Sequence, residues 1–300
     1  MLILIAGITG LTGLPCARAA LKAGHQVRGL SRNPDKLPRD VYDQLEGFVK
    51  MESIYDLPAL DRAVKGVDAI ISAMYSGPEH LVEGQLLLLR AAERAGIKIF
   101  HASTWNYDWS RIKLGEHENY DAMLAFRSHV RTTSTIKPIY AFTGTIPEFL
   151  FKVPHSNPLD KVNKTMSYFG TGDELWRATS LEDLAAFTIA SITEPDAAEG
   201  GFYRVESFHC TIRDMARVYG EVHGVEIQLK HLGNVEDAEA MLAGARAVTK
   251  PTDWISYIGL AYATLWLKGV FNYEPTDSQG RWSHIKQTTL REWFENNRDI

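Results

Sequence analysis

Apolar positions in the first half of the chain alternate between two textures. Short unbroken apolar runs, led by Leu2-Ile3-Leu4-Ile5-Ala6, suit strands buried on both faces of a parallel sheet. Longer stretches with helical spacing lie between them. Leu14 to Ala23 predicts a helix that stops at Gly24, and His25 to Ser31 a second strand. Gly66-Val67-Asp68 leads into what the alternation counts as a fourth strand, Ala69 to Ser72. Leu81 to Ala95 reads as a long helix ending at Gly96, followed by a strand at Ile97 to His101. A helix over Asn119 to Ser134 then precedes a strand at Ile139 to Thr143. Strands alternating with helices argue for an α/β fold, a parallel sheet covered on both faces. The right-handed crossover rule then favours a doubly wound sheet.

From Gly144 onward the rhythm breaks. Prolines thicken at Pro147, Pro154 and Pro158, and the apolar segments shorten. Residues 1–143, joined by about 180–200 where Glu182 to Ile192 reads as a returning helix, form the expected nucleotide-binding domain. Residues 144–179 and 202–300 form a smaller cap that builds a substrate pocket. No flexible linker separates the two, so one compact body is expected.

Composition narrows the partners. The chain has 300 residues, 45% hydrophobic and 23% charged, enough for a sizeable core and unlike disordered, collagen-like or coiled-coil chains. A net charge of −5 offers no basic surface for nucleic acid. Cys16 and Cys210 cannot make a disulfide framework, which points to a reducing, cytoplasmic setting. The apolar, aromatic stretch Ile255 to Phe271 is short for a membrane span and carries Lys268 near its end, so a helix lining an apolar pocket is expected instead. No membrane partner is expected. The ten histidines show no metal-ligand spacing, and neither a G-x-S-x-G elbow nor a Walker loop is present.

The strongest motif is Gly7-x-x-Gly10-x-x-Gly13, set between the first strand and the first helix. Gly7 permits a tight turn, Gly10 lets a phosphate approach the backbone, and Gly13 lets helix and sheet pack closely. The helix N-terminus offers free N–H groups to a pyrophosphate, and Thr9 and Thr12 add hydroxyls, with Leu11 between them. NAD selection would place a carboxylate at the end of the second strand. Ser31 and Arg32 stand there, with Lys36 nearby, and a guanidinium suits a 2′-phosphate; the cofactor read from these charges is NADP(H). The loop from Ala73 and Met74 through Tyr75, Ser76, Gly77 and Pro78 follows a strand at the same edge and is expected to skirt the cofactor.

Taken together, these residues resemble the NmrA-like and isoflavone-reductase-like family of atypical short-chain dehydrogenases/reductases, over nearly all of the chain. The resemblance rests on the glycine turn, Arg32, Gly66 to Ser72, Gln85, Phe100 to Trp105 and Thr143-Gly144-x-x-Pro147-Glu148. Gly170-Thr171-Gly172 through Thr179-x-x-Glu182-Asp183-Leu184 extends it. It implies a Rossmann-type NAD(P)-binding fold with a smaller C-terminal substrate subdomain, NADPH as the usual cofactor, and reductive chemistry on phenolic or other secondary metabolites. Some members of the group only sense the cofactor.

The departures are as informative. Ordinary short-chain dehydrogenases carry Y-x-x-x-K, but Tyr107 is followed four later by Arg111 and Tyr120 by Leu124. Isoflavone-reductase-like enzymes place a lysine four residues before an arginine on the helix preceding the strand at 139; that alignment puts Arg127 at the lysine position. Arginine stays protonated, so it is suited to holding a carbonyl or oxyanion rather than carrying a proton. Ser103 and Tyr107, in the loop after the strand ending at His101, are candidates to donate or polarise, with Ser103 also near the cofactor. The plainer alternative packs Trp105 and Tyr107 in the core and uses Asn106 and Asp108 for turn and capping bonds. On the Asn119 to Ser134 helix, Tyr120, Met123, Arg127 and Arg131 lie on neighbouring turns, facing either the cofactor or solvent. The expected activity is NADP(H)-dependent hydride transfer to a small, largely apolar metabolite, by a monomer or homodimer. The alternatives are a redox-neutral isomerase or cyclase that keeps NADP(H) as a structural element, and a non-catalytic NADP(H) sensor.

Overall fold

The computed structural model describes every residue except 76 and 153–156. The expected loop residue Ser76 and the proline at 154 therefore lie outside the described residues. Seven parallel strands make the main sheet: β1 (Leu2–Ala6), β2 (Gln26–Ser31), β3 (Gly47–Lys50), β4 (Ala69–Ser72), β5 (Ile99–His101), β6 (Ile139–Phe142) and, later in the chain, β10 (Gly201–Arg204). Their order is β10-β6-β5-β4-β1-β2-β3, with every pairing parallel. The order reverses between β1 and β4, and in such sheets the crevice at that switch point binds ligands. This is the doubly wound α/β fold.

Alternation along each strand builds the two faces of the core. Ile3 and Ile5 enter one apolar cluster with Val27, Ile71, Ile139 and Leu184. Leu4 and Ala6 enter the other with Leu30, Ile70, Phe100 and Phe142. Because both faces are covered, β1 has no polar position, which is why its signal in the sequence is so clear. The helices that cover the sheet are α1 (Gly13–Lys22), α2 (Arg39–Tyr42), α3 (Leu57–Val64), α4 (Gln85–Arg94) and α5 (Glu118–Thr133). A π-helical turn, His80–Gly84, precedes α4, a feature often found beside functional sites.

The cap begins with α6 (Pro147–Lys152) and the small strands β7 (Leu159–Asp160), β8 (Thr165–Tyr168) and β9 (Trp176–Ala178). The chain then returns through α7 (Leu181–Thr193), which packs on α1, and β10. It leaves again through β11 (Phe208–Cys210), α8 (Ile212–His223), β12 (Gln228–His231), α9 (Val235–Val248) and α10 (Ile258–Leu267). It closes with α11 (Thr276–Gln279) and α12 (Leu290–Asn296).

Two details move the boundary expected at residue 202. Residues 201–204 are β10, an edge strand of the main sheet beside β6. Beyond α10, Phe271 and Tyr273 join one face of the main core and Trp282 the other, its ring set against Tyr203 and Phe187. The cap is thus two excursions, each anchored back in the sheet. Among the described residues no helix is long and apolar enough to cross a membrane, and Ile255 to Phe271 contains the pocket-lining α10.

Candidate active site and cofactor cleft

The glycine turn is locked by backbone contacts that leave no room for side chains. Gly7 has φ +83°, and a Cβ there would stand 2.5 Å from the Ala73 carbonyl oxygen. A Cβ on Gly13 would stand 2.2 Å from the Gly7 oxygen. At Gly10 it would come within 3.1 Å of that same oxygen, while the Gly10 N–H donates to it at 2.9 Å. Backbone 73–74 is therefore the floor beneath the turn, and the Met74 side chain is buried away from it near Gly84. The N-cap Thr12 makes no side-chain cap bond, and the first turn of α1 carries no acid. Its N–H groups and positive dipole end are left for an anion.

Arg32 and Lys36 are exposed at the end of β2, and neither makes an ion pair among the described residues. Buried Ser31 keeps this rim low. His80 lies within the field of Arg32; burial first, then that cation, hold its imidazole below the usual range.

A cavity of about 310 Å³ opens from Gly10, Leu11, Thr12 and Ala73 and runs beneath the cap. That volume is at the lower end for a small-molecule site. From the sheet side come Ser103, Trp105, Asn106 and Tyr107, and from α5 come Asn119 and Met123. The cap adds Thr145, Phe149, Trp176, Tyr262 and Trp266. Among the described residues that line it, none is charged. Ser103 is fixed through its backbone: its N–H donates to Gln85 Oε1 at 2.8 Å, while Gln85 Nε2 donates to the Leu81 carbonyl inside the π-helical turn. Trp105 stacks on His101 and donates from Nε1 to Thr188 Oγ1 at 2.9 Å. Asp108, as the plainer alternative held, caps the turn at Ser110 and also pairs with Arg204.

The structure separates the candidates on α5. Positions 119 and 123, one turn apart, face the cavity, whereas Tyr120 is fully buried behind the wall and donates to Asn106 Oδ1 at 2.7 Å. Of the two orientations open to Arg127, the structure shows the one turned away from the cavity. The residue lies one turn beyond Met123, outside the cavity lining, with its guanidinium 4.8 Å from the Phe202 ring centroid on β10. The physical reason is the edge strand: β10 supplies an aromatic face beside α5, and a weakly hydrated guanidinium covers it well. Tyr107 does reach the cavity, but its hydroxyl closes on Thr145 Oγ1 in a short hydrogen bond and its ring stacks on Phe271 at 4.6 Å. Burial pushes its phenol well above the usual range.

Sequence reasoning missed Asn119 and Tyr262. Tyr262 Oη accepts from Asn106 Nδ2 and from Asn119 Nδ2, each at 2.9 Å. Tyr262 is one of several aromatics within the stretch Ile255 to Phe271, and nothing in the sequence joins it to residues 106 and 119.

Comparison with known proteins now places the chain. The profile of the NmrA-like family matches residues 1–242. Isoeugenol synthase 1 of Petunia hybrida is 26% identical over 205 residues, 65% of this chain and 62% of that protein, so the match spans less than two thirds of the relative. The binary complex of leucoanthocyanidin reductase with NADPH from Vitis vinifera has a TM-score of 0.79 at 20% identity, covering 100% of both chains. AtPrR2 with NADP+ and (+)pinoresinol also has a TM-score of 0.79 at 20% identity, over 98% of this chain and 97% of that one. Isoflavone reductase gives 0.77 at 20% identity, over 100% and 99%. These likenesses extend the shared fold over the full length, cap included, and with its profile matched across most of the sequence the chain belongs to the NmrA-like family.

Proposed function

We propose that the protein is an NADP(H)-dependent reductase of a small, uncharged, aromatic metabolite. The observation that carries this reading is one continuous site, in which the glycine turn opens into a cavity whose described lining residues are all uncharged. A Cβ at Gly7, Gly10 or Gly13 would press on neighbouring backbone, so the turn stays bare of side chains and suits a backbone-bound pyrophosphate. Thr9, Leu11 and Thr12 border it, the Ala73–Met74 backbone lies under it, and Arg32 with Lys36 supplies unpaired cations for a 2′-phosphate. Family likenesses crystallised with NADP+ or NADPH support the same choice.

Bound there, the cofactor supplies a hydride to the substrate. The residues of this chain do the rest. Ser103 borders the cavity beside Ala73 and is a candidate to orient the acceptor. Trp105, Tyr107, Phe149, Trp176 and Trp266 exclude water and offer ring faces to an aromatic guest. A charged substrate would lose hydration here without gaining a counter-ion, so the cavity selects against it. Calorimetric titration should show NADPH binding more tightly than NADH. NADPH consumption should follow with uncharged aromatic aldehydes, ketones or quinones and fail with their carboxylated counterparts. Absence of binding heat with NADPH, or equal use of the carboxylated compounds, overturns the reading.

A further inference from the structure

At the inner wall of the cavity, two side-chain amides converge on one phenol. Asn106 reaches Tyr262 Oη from the β5 loop and Asn119 from α5, both at 2.9 Å. The amide orientations follow from the surrounding bonds. Asn106 Oδ1 already accepts from the Tyr107 backbone N–H at 2.9 Å and from the Tyr120 hydroxyl at 2.7 Å, so its NH₂ end must face Tyr262. Asn119 Oδ1 accepts from the Tyr75 hydroxyl at 3.3 Å, which turns its NH₂ end the same way. Tyr262 Oη thereby accepts from both amides, the Tyr120 hydroxyl stands within hydrogen-bond reach of it, and the residue lines the cavity.

We propose that Tyr262 donates the proton to substrate oxygen during reduction, and that the Asn106 and Asn119 amides hold the oxyanion it becomes. The proposal rests on the reductase reading above. Reducing a carbonyl needs a hydride at carbon and a proton at oxygen. NADPH is the source of the hydride and is oxidised to NADP+. The Tyr262 O–H bond breaks, a new O–H bond forms on the substrate, the electron pair stays on Tyr262 Oη, and a solvent proton restores the phenol.

Among the described residues no charged side chain lines the cavity, so neutral donors carry the developing charge. Preorganised amide N–H groups in a water-poor wall do this without rearranging. The groups packed around the phenol add no charge. His117 sits 4.4 Å away edge to face and is held neutral by burial, its value pulled down to about 3, while Tyr120, Tyr107 and Phe271 complete the shell. Burial, then the neighbouring Tyr75, raises the Tyr262 phenol, and hydrogen bonds from the two amides and Tyr120 pull it back. It therefore waits protonated, as an acid should. The rival phenols are differently engaged: Tyr107 is closed onto Thr145, and Tyr120 points into Asn106 outside the cavity lining.

Cinnamaldehyde, acetophenone and a naphthoquinone serve as probes for wild type, Tyr262→Phe and Asn119→Leu. Tyr262→Phe should lower kcat ~100-fold or more, while KM and calorimetric NADPH affinity stay within about twofold because the change lies in a proton-transfer step. Asn119→Leu should lower kcat by ~10-fold or more through the lost donor, again with KM nearly fixed. A second readout needs no turnover: the ring-carbon NMR signal of labelled tyrosine, assigned by its disappearance in Tyr262→Phe, should titrate at higher pH in Asn119→Leu. If no probe turns over, this titration decides. A Tyr262→Phe variant at wild-type kcat, or a Tyr262 titration unmoved by Asn119→Leu, overturns the proposal while leaving the reductase reading intact. Failure of the wild type to bind NADPH overturns that reading itself.

Discussion

The two ends of the site are built in opposite ways. The nucleotide end is defined by main chain: the turn from Gly7 to Gly13, the floor at Ala73, and the open first turn of α1. Few contacts are involved, all close in sequence except those of Gly7 to Leu30 and to Ala73. The cap end is defined by side chains from distant segments, with Asn106 and Asn119 bonded to Tyr262 across 156 and 143 residues. Main-chain geometry tolerates almost no substitution but says little about what reacts. Side-chain geometry tolerates much and decides the chemistry.

The sharpest way to break this contrast is at the turn. Gly13→Val should cost about 5 kcal/mol or more in folding stability, an exceptional loss for one substitution, because the new Cβ would press on the Gly7 oxygen 2.2 Å away. Chemical denaturation measures it, and a loss under about 1 kcal/mol would show that the turn can relax. Next comes charge at its rim. Arg32→Glu should weaken NADPH binding by about 1.5–3 kcal/mol, the worth of a hydrogen bond to a charged group, and leave NADH nearly untouched. Equal losses for both coenzymes in a fluorescence titration would remove the 2′-phosphate assignment.

Two buried histidines probe the interior, with an effect that is small per pH unit and accumulates as pH falls. His117 packs against Tyr262 and His101 lies in the sheet against Trp105 and Tyr203, and burial lowers each from 6.5 to about 3 in the folded state. The unfolded chain therefore takes up their protons first. Stability is complete above about pH 6.5 and falls by about 1.4 kcal/mol per pH unit for each histidine as pH drops toward 3. Denaturation midpoints recorded across that window should show the slope, reduced by one proton in His101→Phe; an unchanged slope would mean that His101 does not bury neutral. The smallest effect belongs to Arg127. Its contact with Phe202 is worth about 0.5–1 kcal/mol, so Arg127→Ala should lose that much stability and no turnover. A large fall in kcat would return it to the reaction.

These contrasts explain what the sequence revealed and what it hid. β1 and the glycine turn were legible because every position is constrained locally: buried on both faces in one case, sterically closed in the other. β3 gave no clear run because, at the sheet edge, it is half-buried along its length. The stripe on α5 divides between the cavity and the packing behind it. Met123 lines the cavity together with Asn119, while Tyr120 is buried behind it and Arg127 lies over Phe202 on β10, a division that helical spacing alone does not reveal. Tyr262 was hidden for a different reason. It lies beyond residue 242, where the family profile stops, and its partners become neighbours only after the chain has crossed the sheet.

Trp282 gives the final residues a role in the foundation of the molecule. Its ring meets Tyr203 on the outermost strand, and its indole N–H donates to Glu194 at 2.7 Å beside the end of α7. A fragment cut near residue 245, however complete its coenzyme motif, would leave that strand without its cover. The dinucleotide half should not stand alone as a truncated module, and engineering that swaps the lid must carry this tail along or supply a substitute for its tryptophan.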